Sequence, residues 1–302
     1  MKSTNVRRVT LSIAVATALS GVAACTSSGS GGSGKDHSAS GKGATHISPV
    51  AALRTVEKST DSADSARVES ATTIGSQLSM KSDGALDWGD GIQGTVTITY
   101  TGGTSAELMR QTGTTSMEAR YLPDAYYAKM GAKFAEQVGG KHWIRYAYAD
   151  LANLAGGSGA LLKDQMRKTT PNQSVKLLLA SGDVKKVGSE QVRGVDTTHY
   201  SGTVDIADFA RKNASLPASQ LAALKKALTQ AGVSTETVDI WVDGKDLLVK
   251  KVEKGTMSAG EYTQTAYYSD YGTKVSARTP PASDTADFTE LVKQQKGTGV
   301  GS

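Results

Sequence analysis

The amino-acid sequence predicts an α+β domain in which an antiparallel sheet packs against helices. From Ser65 onward, short segments rich in Val, Ile, Thr, Tyr and Met alternate apolar with polar residues, and Gly, Asp or Asn breaks separate them. The middle of the chain carries leucines at helical spacing, and alternating segments return towards the C-terminus. Neighbouring strands joined by short turns favour an antiparallel meander over βαβ units.

The N-terminus has the pattern of a bacterial lipoprotein signal. Basic residues precede an uncharged run over residues 11–24 that is too short to span a bilayer (Lys2, Arg7 and Arg8). The segment Val22-Ala23-Ala24-Cys25 resembles a lipobox, with Val22 where leucine is more usual, and Cys25 is the only cysteine of the chain. We interpret residues 1–24 as the signal peptide and Cys25 as the acylated first residue, anchored at the extracytoplasmic face of the cell membrane. An ordinary signal peptide followed by a chance cysteine is the alternative, and Sec and twin-arginine export both stay open.

Composition excludes several classes of function. A single acylated cysteine forms no disulfide and serves neither as a metal ligand nor as a nucleophile, so the mature domain depends on its core. Without the three basic residues of the signal, the mature chain has 31 basic and 29 acidic residues, a net charge of +2. No block of Lys or Arg of the kind that binds nucleic acid occurs, so we expect no nucleic-acid partner.

A tether precedes the domain. Residues 25–47 are dominated by Gly, Ser, Ala and Thr, a composition that is typical of a flexible linker. The run from Gly29 to Gly34 formally matches the nucleotide-binding pattern GxGxxG, but it follows no strand and opens no helix. It is therefore interpreted as linker.

We expect one domain over residues 48–278 and a partly disordered C-terminal tail over 279–302. Ser48-Pro49 predicts an N-cap and the first turn of a helix that ends near Ser59. The predicted strands cover residues 67–74, 78–88, 95–100, 106–111, 116–122, 125–130, 142–146, 195–204, 237–242, 247–256 and 261–271, with a hairpin signal at Asp243-Gly244. The predicted helical segments cover residues 149–154, 161–168, 174–180, 206–212 and 218–230, with a short helix at 288–292 in the tail.

Two segments in the second half carry a resemblance to a known family. Residues 187–200 contain the pattern G-x-E-x-V-x-G-x-x-T-x-H-Y. Val238 to Asp243 resemble V-x-V-W-V-D, with Ile240 at the third position, and a weaker likeness occurs at Tyr126-Tyr127 and Lys141-His142-Trp143. In these segments the chain resembles the LppX/LprAFG-like lipoproteins of actinobacteria. The resemblance implies a curved antiparallel half-barrel sheet with helices on its concave face, as in LppX and LolA, and an apolar cavity for acyl chains between sheet and helices. It implies no cofactor.

No catalytic or metal-binding constellation stands out. His37 and His46 lie in the tether, and His142 and His199 are isolated strand residues without a second ligand at metal-binding spacing. Gly157-Ser158-Gly159 lacks the second framing glycine of a nucleophile elbow and follows no strand. We therefore expect that the protein is not an enzyme and that it binds neither a metal ion nor a cofactor.

Candidate site residues come from the helical leucines and the aromatic strand residues. They either form an ordinary core or line a ligand cavity, and the sequence leaves both open: Leu151, Leu154, Leu161, Leu162, Leu221, Leu224, Leu228, Tyr127 and Trp143. The leading hypothesis is a membrane-anchored, monomeric lipoprotein that binds or carries a lipid or other hydrophobic ligand. The alternative is a non-enzymatic protein-binding or sensory module of the cell envelope with a collapsed cavity; an extracytoplasmic hydrolase is the third hypothesis.

The anchor assignment predicts the location of the chain. Cys25→Ser removes the thiol that would carry the diacylglyceryl group, so the protein should move from the membrane pellet to the soluble fraction. Fractionation followed by immunoblotting measures this, with Ser27→Ala as the matched control that stays in the pellet. Retention of the Cys25→Ser chain in the membrane pellet would contradict the anchor.

Overall fold

A computed structural model describes residues 48–150, 171–205, 232 and 234–297. The helices are α1 (Pro49–Asp61), α2 (Gly103–Gln111), α3 (Ala132–Gln137), α4 (Asn172–Ala180) and α5 (Phe288–Gly297), with a 3-10 turn at Ala282–Asp284. The strands of the first half are β1 (Ser65–Ile74), β2 (Leu78–Asp87), β3 (Gln93–Gly102), β4 (Ser116–Tyr121), β5 (Ala125–Lys129) and β6 (Trp143–Ala147). Those of the second half are β7 (Lys185–Val192), β8 (Val195–Asp205), β9 (Thr235–Val242), β10 (Leu248–Met257), β11 (Gly260–Ser269) and β12 (Thr285–Asp287).

The twelve strands form one open half-barrel sheet, which confirms the predicted α+β class. The order across the sheet is β12-β6-β5-β4-β3-β2-β1-β11-β10-β9-β8-β7. The strand β12 runs parallel to β6, and the other pairings are antiparallel. Two meanders, β1 to β6 and β7 to β11, are joined where β1 pairs with β11 from Arg67↔Ser269 to Ile74↔Tyr262.

The register divides the sheet into two faces. We call the side on which α1 and α4 pack the helix face; on it a core cluster, the α1–α4 cluster, includes Leu53, Val175, Leu178, Ile240 and Ala266. Following the paired residues across the sheet from Ala266 leads to Ser70, Ser82, Ile98 and Met117 on this same face. A second core cluster of the helix face, the α5 cluster, lies over β5 and β6 and consists of Ala128, Phe134, Ile144, Tyr146 and Tyr148 with Phe288 and Leu291 packed against it. The opposite side is called the outer face.

Local sequence signals account for several predicted elements. Ser48 caps α1 by accepting a hydrogen bond from the Ala51 backbone N–H through its side-chain oxygen. Asp243 closes the hairpin between β9 and β10, because its Oδ1 accepts from the backbone N–H groups of Lys245 and Leu247. The helices at α1, α4 and α5 and the predicted strands, apart from residues 106–111, are confirmed. The predicted segments 149–154, 161–168, 206–212 and 218–230 lie largely or wholly outside the described residues.

One predicted strand is wrong. Residues 106–111 belong to α2, in which Ala106 and Met109 are buried one helical turn apart. Six residues with two buried positions fit alternation and helical spacing almost equally well. Gly103 has a φ of 77°, in the left-handed region that favours glycine, so the chain leaves β3 here instead of continuing the ladder.

The C-terminal segment is part of the same sheet. After β11 the chain returns to the start of β1, where Ser65 Oγ donates to the Thr273 carbonyl (2.7 Å). It then reaches β4, where Arg120 donates to the Arg278 carbonyl (2.8 Å), before β12 pairs with β6. The structure thus extends the sheet beyond residue 278, where the sequence suggests a tail. Neither β12 nor α3 is long enough to show a periodicity in the sequence.

Gly84 fixes how closely β2 and β3 approach. A Cβ atom at this position would lie 2.2 Å from the Thr95 carbonyl oxygen and 2.7 Å from the Val96 Cα. Both are backbone atoms, so no side-chain rotation could relieve the clash. The strand interior therefore requires glycine at this point.

Gly84→Ala should lower the free energy of unfolding by about 1–3 kcal/mol, because the strands must separate to admit the methyl group. Gly188→Ala in β7 is the matched control, since no described atom lies within 4 Å of its Cβ. It should leave stability unchanged or raise it by up to about 1 kcal/mol. Urea unfolding followed by tryptophan fluorescence measures both, and equal effects would contradict the constraint.

Candidate functional site on the helix face

The central part of the helix face lies between its two apolar clusters. Ser70, Ser82 and Ile98 occupy one row across β1, β2 and β3, and all three are half-buried. The two serine hydroxyls hydrogen-bond to each other at 2.6 Å. In the neighbouring row Gln264 donates to the Thr72 hydroxyl at 3.3 Å. The floor of this face therefore changes from apolar to polar and back to apolar along the sheet.

A buried group of charged residues adjoins this polar floor. Lys251 and Glu253 alternate onto the helix face of β10, and Lys251 Nζ lies 3.0 Å from each Glu253 carboxylate oxygen. Ser174 of α4 donates a hydrogen bond to Glu253 Oε1. Glu236 of β9 lies on the same face and is 5% exposed, while Glu253 is 1% exposed. Burial of these charges is tolerated because Lys251 and Glu253 compensate each other.

The electrostatics of this group keep one carboxyl protonated. Burial, together with the smaller effect of the Glu253 carboxylate, raises the pKa of Glu236 to about 9, and Lys251 opposes this shift. Burial acts to lower the pKa of Lys251, but the Glu253 carboxylate holds it above the ordinary value. Near neutral pH the group therefore contains a paired ammonium and carboxylate together with one uncharged carboxyl.

Tyrosine rings cover the other end of the helix face. Tyr126 lies with its ring centroid 5.1 Å from Tyr121 and 5.7 Å from Tyr146, and Tyr146 lies 4.7 Å from Phe288 of α5. Burial raises the pKa of Tyr121 to about 12. These rings remain uncharged at any physiological pH, so they provide an aromatic surface with hydroxyl groups.

The two aromatic candidates from the sequence lie on the outer face. Tyr127 and Trp143 are both buried, but they pack with Leu122, Ala125 and Ala277 on the side opposite Ala128 and Ile144. The Arg120 guanidinium lies 4.5 Å from the centroid of the Trp143 ring. Because side chains alternate along a strand, neither residue can line a space on the helix face, and we leave both out of the proposed site. The candidate leucines lie outside the described residues: Leu151, Leu154, Leu161, Leu162, Leu221, Leu224 and Leu228.

The two sequence segments that carry the family resemblance meet on the outer face. The Trp241 indole N–H donates to Glu190, and the His199 ring stacks on the Trp241 ring with centroids 4.2 Å apart. His199 Nε2 lies 2.9 Å from Asp239 Oδ1, and Lys250 Nζ lies 3.9 Å from the Trp241 ring centroid. This packing joins β7, β8, β9 and β10, so the motif residues act here as structural contacts between strands.

Sequence reasoning missed the charged residues of the helix face. Lys251 and Glu253 occupy alternate positions of a strand in which Leu248, Val249 and Val252 are also buried, so the charged side had no distinctive pattern. The available signal was their i, i+2 spacing within a predicted strand, which places both on one face. That Lys251 and Glu253 are buried on this face is evident only from the tertiary structure, in which α4 packs against them.

The described residues contain neither of two simple patterns, a cluster of metal ligands and a membrane-spanning helix. No group of three or more His, Cys, Asp or Glu residues there could hold a metal ion. No helix in the same residues combines the length and apolar character needed to cross a membrane.

Comparison with known proteins identifies the family. No family model matches the chain. A 31.2 kDa protein of Streptomyces griseus, named for its position between rplA and rplJ, is 58% identical over 252 residues, which cover 83% of each chain. A Streptomyces coelicolor protein named as a lipoprotein, SCO4650, is 52% identical over 310 residues, covering 98% of this chain and 99% of the relative. The chain belongs to the lipoprotein family of SCO4650.

Membership confirms the lipoprotein class predicted from the N-terminus, while acylation at Cys25 itself stays a prediction. Among solved structures, the chain is similar to the lipoprotein LppX of Mycobacterium tuberculosis, with 15% identity, coverage of 76% of this chain and 98% of that chain, and a TM-score of 0.45. It is also similar to LprF of Mycobacterium bovis, with 14% identity, coverage of 78% and 97%, and a TM-score of 0.46.

Protonated Glu236 predicts a pH dependence of stability. The pKa of Glu236 in the folded protein, about 9, lies above the ordinary value of 4.5. The stability that the protonated carboxyl contributes is therefore complete below pH 4.5 and is lost as the pH rises towards 9. The free energy of unfolding of the native chain should therefore fall over this range, by at most about 1.4 kcal/mol per pH unit. In Glu236→Gln the fall should largely disappear, so that the variant is the more stable protein at pH 8.

Urea unfolding at pH 5.5, 7.0 and 8.5 measures this effect. Glu136→Gln on the exposed surface of α3 is the matched control and should follow the native curve. If the native protein and Glu236→Gln keep a constant difference in stability at all three pH values, the buried neutral carboxyl is ruled out.

Proposed function

We propose that the protein is a membrane-anchored, non-enzymatic cell-envelope lipoprotein that holds a lipid or other amphiphile against the helix face. The observation that carries this proposal is the composition of the helix face, where two separate apolar clusters flank a half-buried floor of mixed polarity. If this region were only part of the hydrophobic core, apolar side chains at the floor would make the fold more stable than the polar ones that occur there. A floor with apolar ends and polar centre suits an amphiphile.

The chain connections support this placement. Residues 151–170 start just after Tyr148, in the α5 cluster, and end just before Asn172 at the start of α4. Both attachment points belong to the helix face, on opposite sides of the central strands. Residues 206–231 likewise start after Asp205 of β8 and return to β9 beside Glu236. We propose that the leucines of these two segments face the floor and contact acyl chains, which gain about 0.8 kcal/mol for each buried methylene.

Cys25 and the tether complete the proposal. Acylation of Cys25 would hold the protein at the extracytoplasmic face of the cell membrane. A Gly/Ser-rich linker of about twenty residues has a root-mean-square reach of about 25 Å, so the domain could approach the bilayer surface and leave it again. The proposed mechanism is sequestration of acyl chains, and it requires neither a cofactor nor a metal.

The full chain with Cys25→Ser, produced in a Streptomyces host, tests the proposal by organic extraction and mass spectrometry. We expect a stoichiometric lipid. Ile98→Trp should weaken lipid binding about tenfold, because the indole on the helix face would displace about two methylenes of ligand, and the extracted lipid should fall below one equivalent. Thr97→Trp is the matched control, since Thr97 is exposed on the outer face of the same strand, and it should leave the lipid content unchanged.

Each result decides between the two hypotheses. A folded native chain that yields no lipid would overturn the proposal and favour a protein-binding or sensory module with a filled interior. Equal loss of lipid in Ile98→Trp and Thr97→Trp, with native thermal stability in both, would show that the lipid binds elsewhere.

A further inference from the structure

At Gly255 the strand β10 carries no side chain, which leaves a gap among the described residues of the helix face. Gly255 pairs with Glu236 of β9 on one side and with Tyr262 of β11 on the other, so both side chains flank it on one face. The backbones of β9 and β11 are about 10 Å apart across β10. Among the described residues, only backbone atoms of Thr235 and Glu236 come within 4 Å of a Cβ built on Gly255. We call the space bounded by Glu236, Glu253, Gly255 and Tyr262 the Gly255 notch.

The side chains around the notch are buried polar groups with unused hydrogen-bonding capacity. Glu236 is 5% exposed and Tyr262 is 9% exposed. In the described part of the chain, neither the Glu236 carboxyl nor the Tyr262 hydroxyl has a hydrogen-bond partner. Glu253, in contrast, is held by Lys251 and Ser174. The Glu236 carboxyl and the Tyr262 hydroxyl are therefore free to form hydrogen bonds with a ligand that enters the notch.

The charge of the notch limits what it can accept. Lys251 and Glu253 neutralise each other, and burial holds the pKa of Glu236 well above neutral. An anionic head group would lie against the Glu253 carboxylate, while the Lys251 ammonium is already engaged by both Glu253 oxygens. A cationic head group would lie against the Lys251 ammonium. A neutral hydroxyl meets neither repulsion, and a protonated carboxyl can both donate to it and accept from it.

We propose that the Gly255 notch binds an uncharged, hydroxyl-bearing head group of the amphiphile, with Glu236 and Tyr262 as its hydrogen-bond partners. This inference rests on the proposed function, because the acyl chains of the same ligand would occupy the adjoining apolar part of the helix face. It assigns to the protein a preference for neutral polyol-type amphiphiles over phosphate-bearing ones.

Three probes with identical acyl chains test the preference: dioleoylglycerol, its 3-O-methyl ether and dioleoyl phosphatidic acid. Each is titrated into the delipidated Cys25→Ser chain, and displacement of a hydrophobic fluorophore gives the affinity. We expect dioleoylglycerol to bind at least about tenfold more tightly than either of the others, since only it offers a neutral hydroxyl. Glu236→Leu should abolish this ratio and leave the affinity for the methyl ether unchanged.

Glu236→Gln is the matched control, because a neutral amide retains a donor and an acceptor, and it should keep at least part of the preference. Circular dichroism and thermal unfolding establish that both variants fold. An unchanged ratio in folded Glu236→Leu would overturn the notch while leaving the proposed function intact. Failure of all three probes to displace the fluorophore from the native chain, with no lipid extracted from it, would overturn both.

Discussion

The pairing of β1 with β11 is the constraint on which the rest of the structure depends. Each meander alone would end in an unpaired edge, and the first would lack the strands on which α4 packs. The pairing from Arg67↔Ser269 to Ile74↔Tyr262 places Ser70 of the first meander beside Ala266 of the second. It thereby makes one continuous helix face from two parts of the chain that lie almost 200 residues apart. Such long-range pairing has a high entropic cost of loop closure, which the full length of the ladder must offset.

The helix face combines groups that a simple core would separate. Burial of its apolar clusters stabilises the fold. Burial of Glu236, Lys251 and Glu253 on the nearby strands β9 and β10 instead costs the free energy of removing polar groups from water. Apolar replacements for a buried ion pair are often neutral or stabilising, so stability alone gives little reason for this arrangement. The proposed role in binding the polar part of a ligand would explain why these three residues are buried on the helix face.

The outer face has a different character. The Trp241 and His199 rings stack on each other, and they hydrogen-bond to Glu190 and Asp239 respectively. Near the other edge of the sheet, Trp143 packs with Tyr127. Here aromatic side chains with charged neighbours contact each other across adjacent strands and stabilise the pairing of those strands. The residues with the strongest sequence signature therefore maintain the sheet, and the residues proposed to contact a ligand lie behind it.

The sequence by itself determined the lipoprotein class, the α+β class and most strands, because lipobox residues, alternation and turn signals such as Asp243-Gly244 act over a few residues. It could not assign residues 106–111, where two buried positions suit either periodicity, or the three-residue strand β12, whose partner is remote in sequence. Alternation shows that Tyr127 and Ala128 point to opposite faces, but only the packing of helices decides which face is the interior. The same holds for Glu236 and Gly255, which become neighbours through the register of β9 and β10. A site assembled from several strands depends on long-range pairing, and no local pattern in the sequence records that pairing.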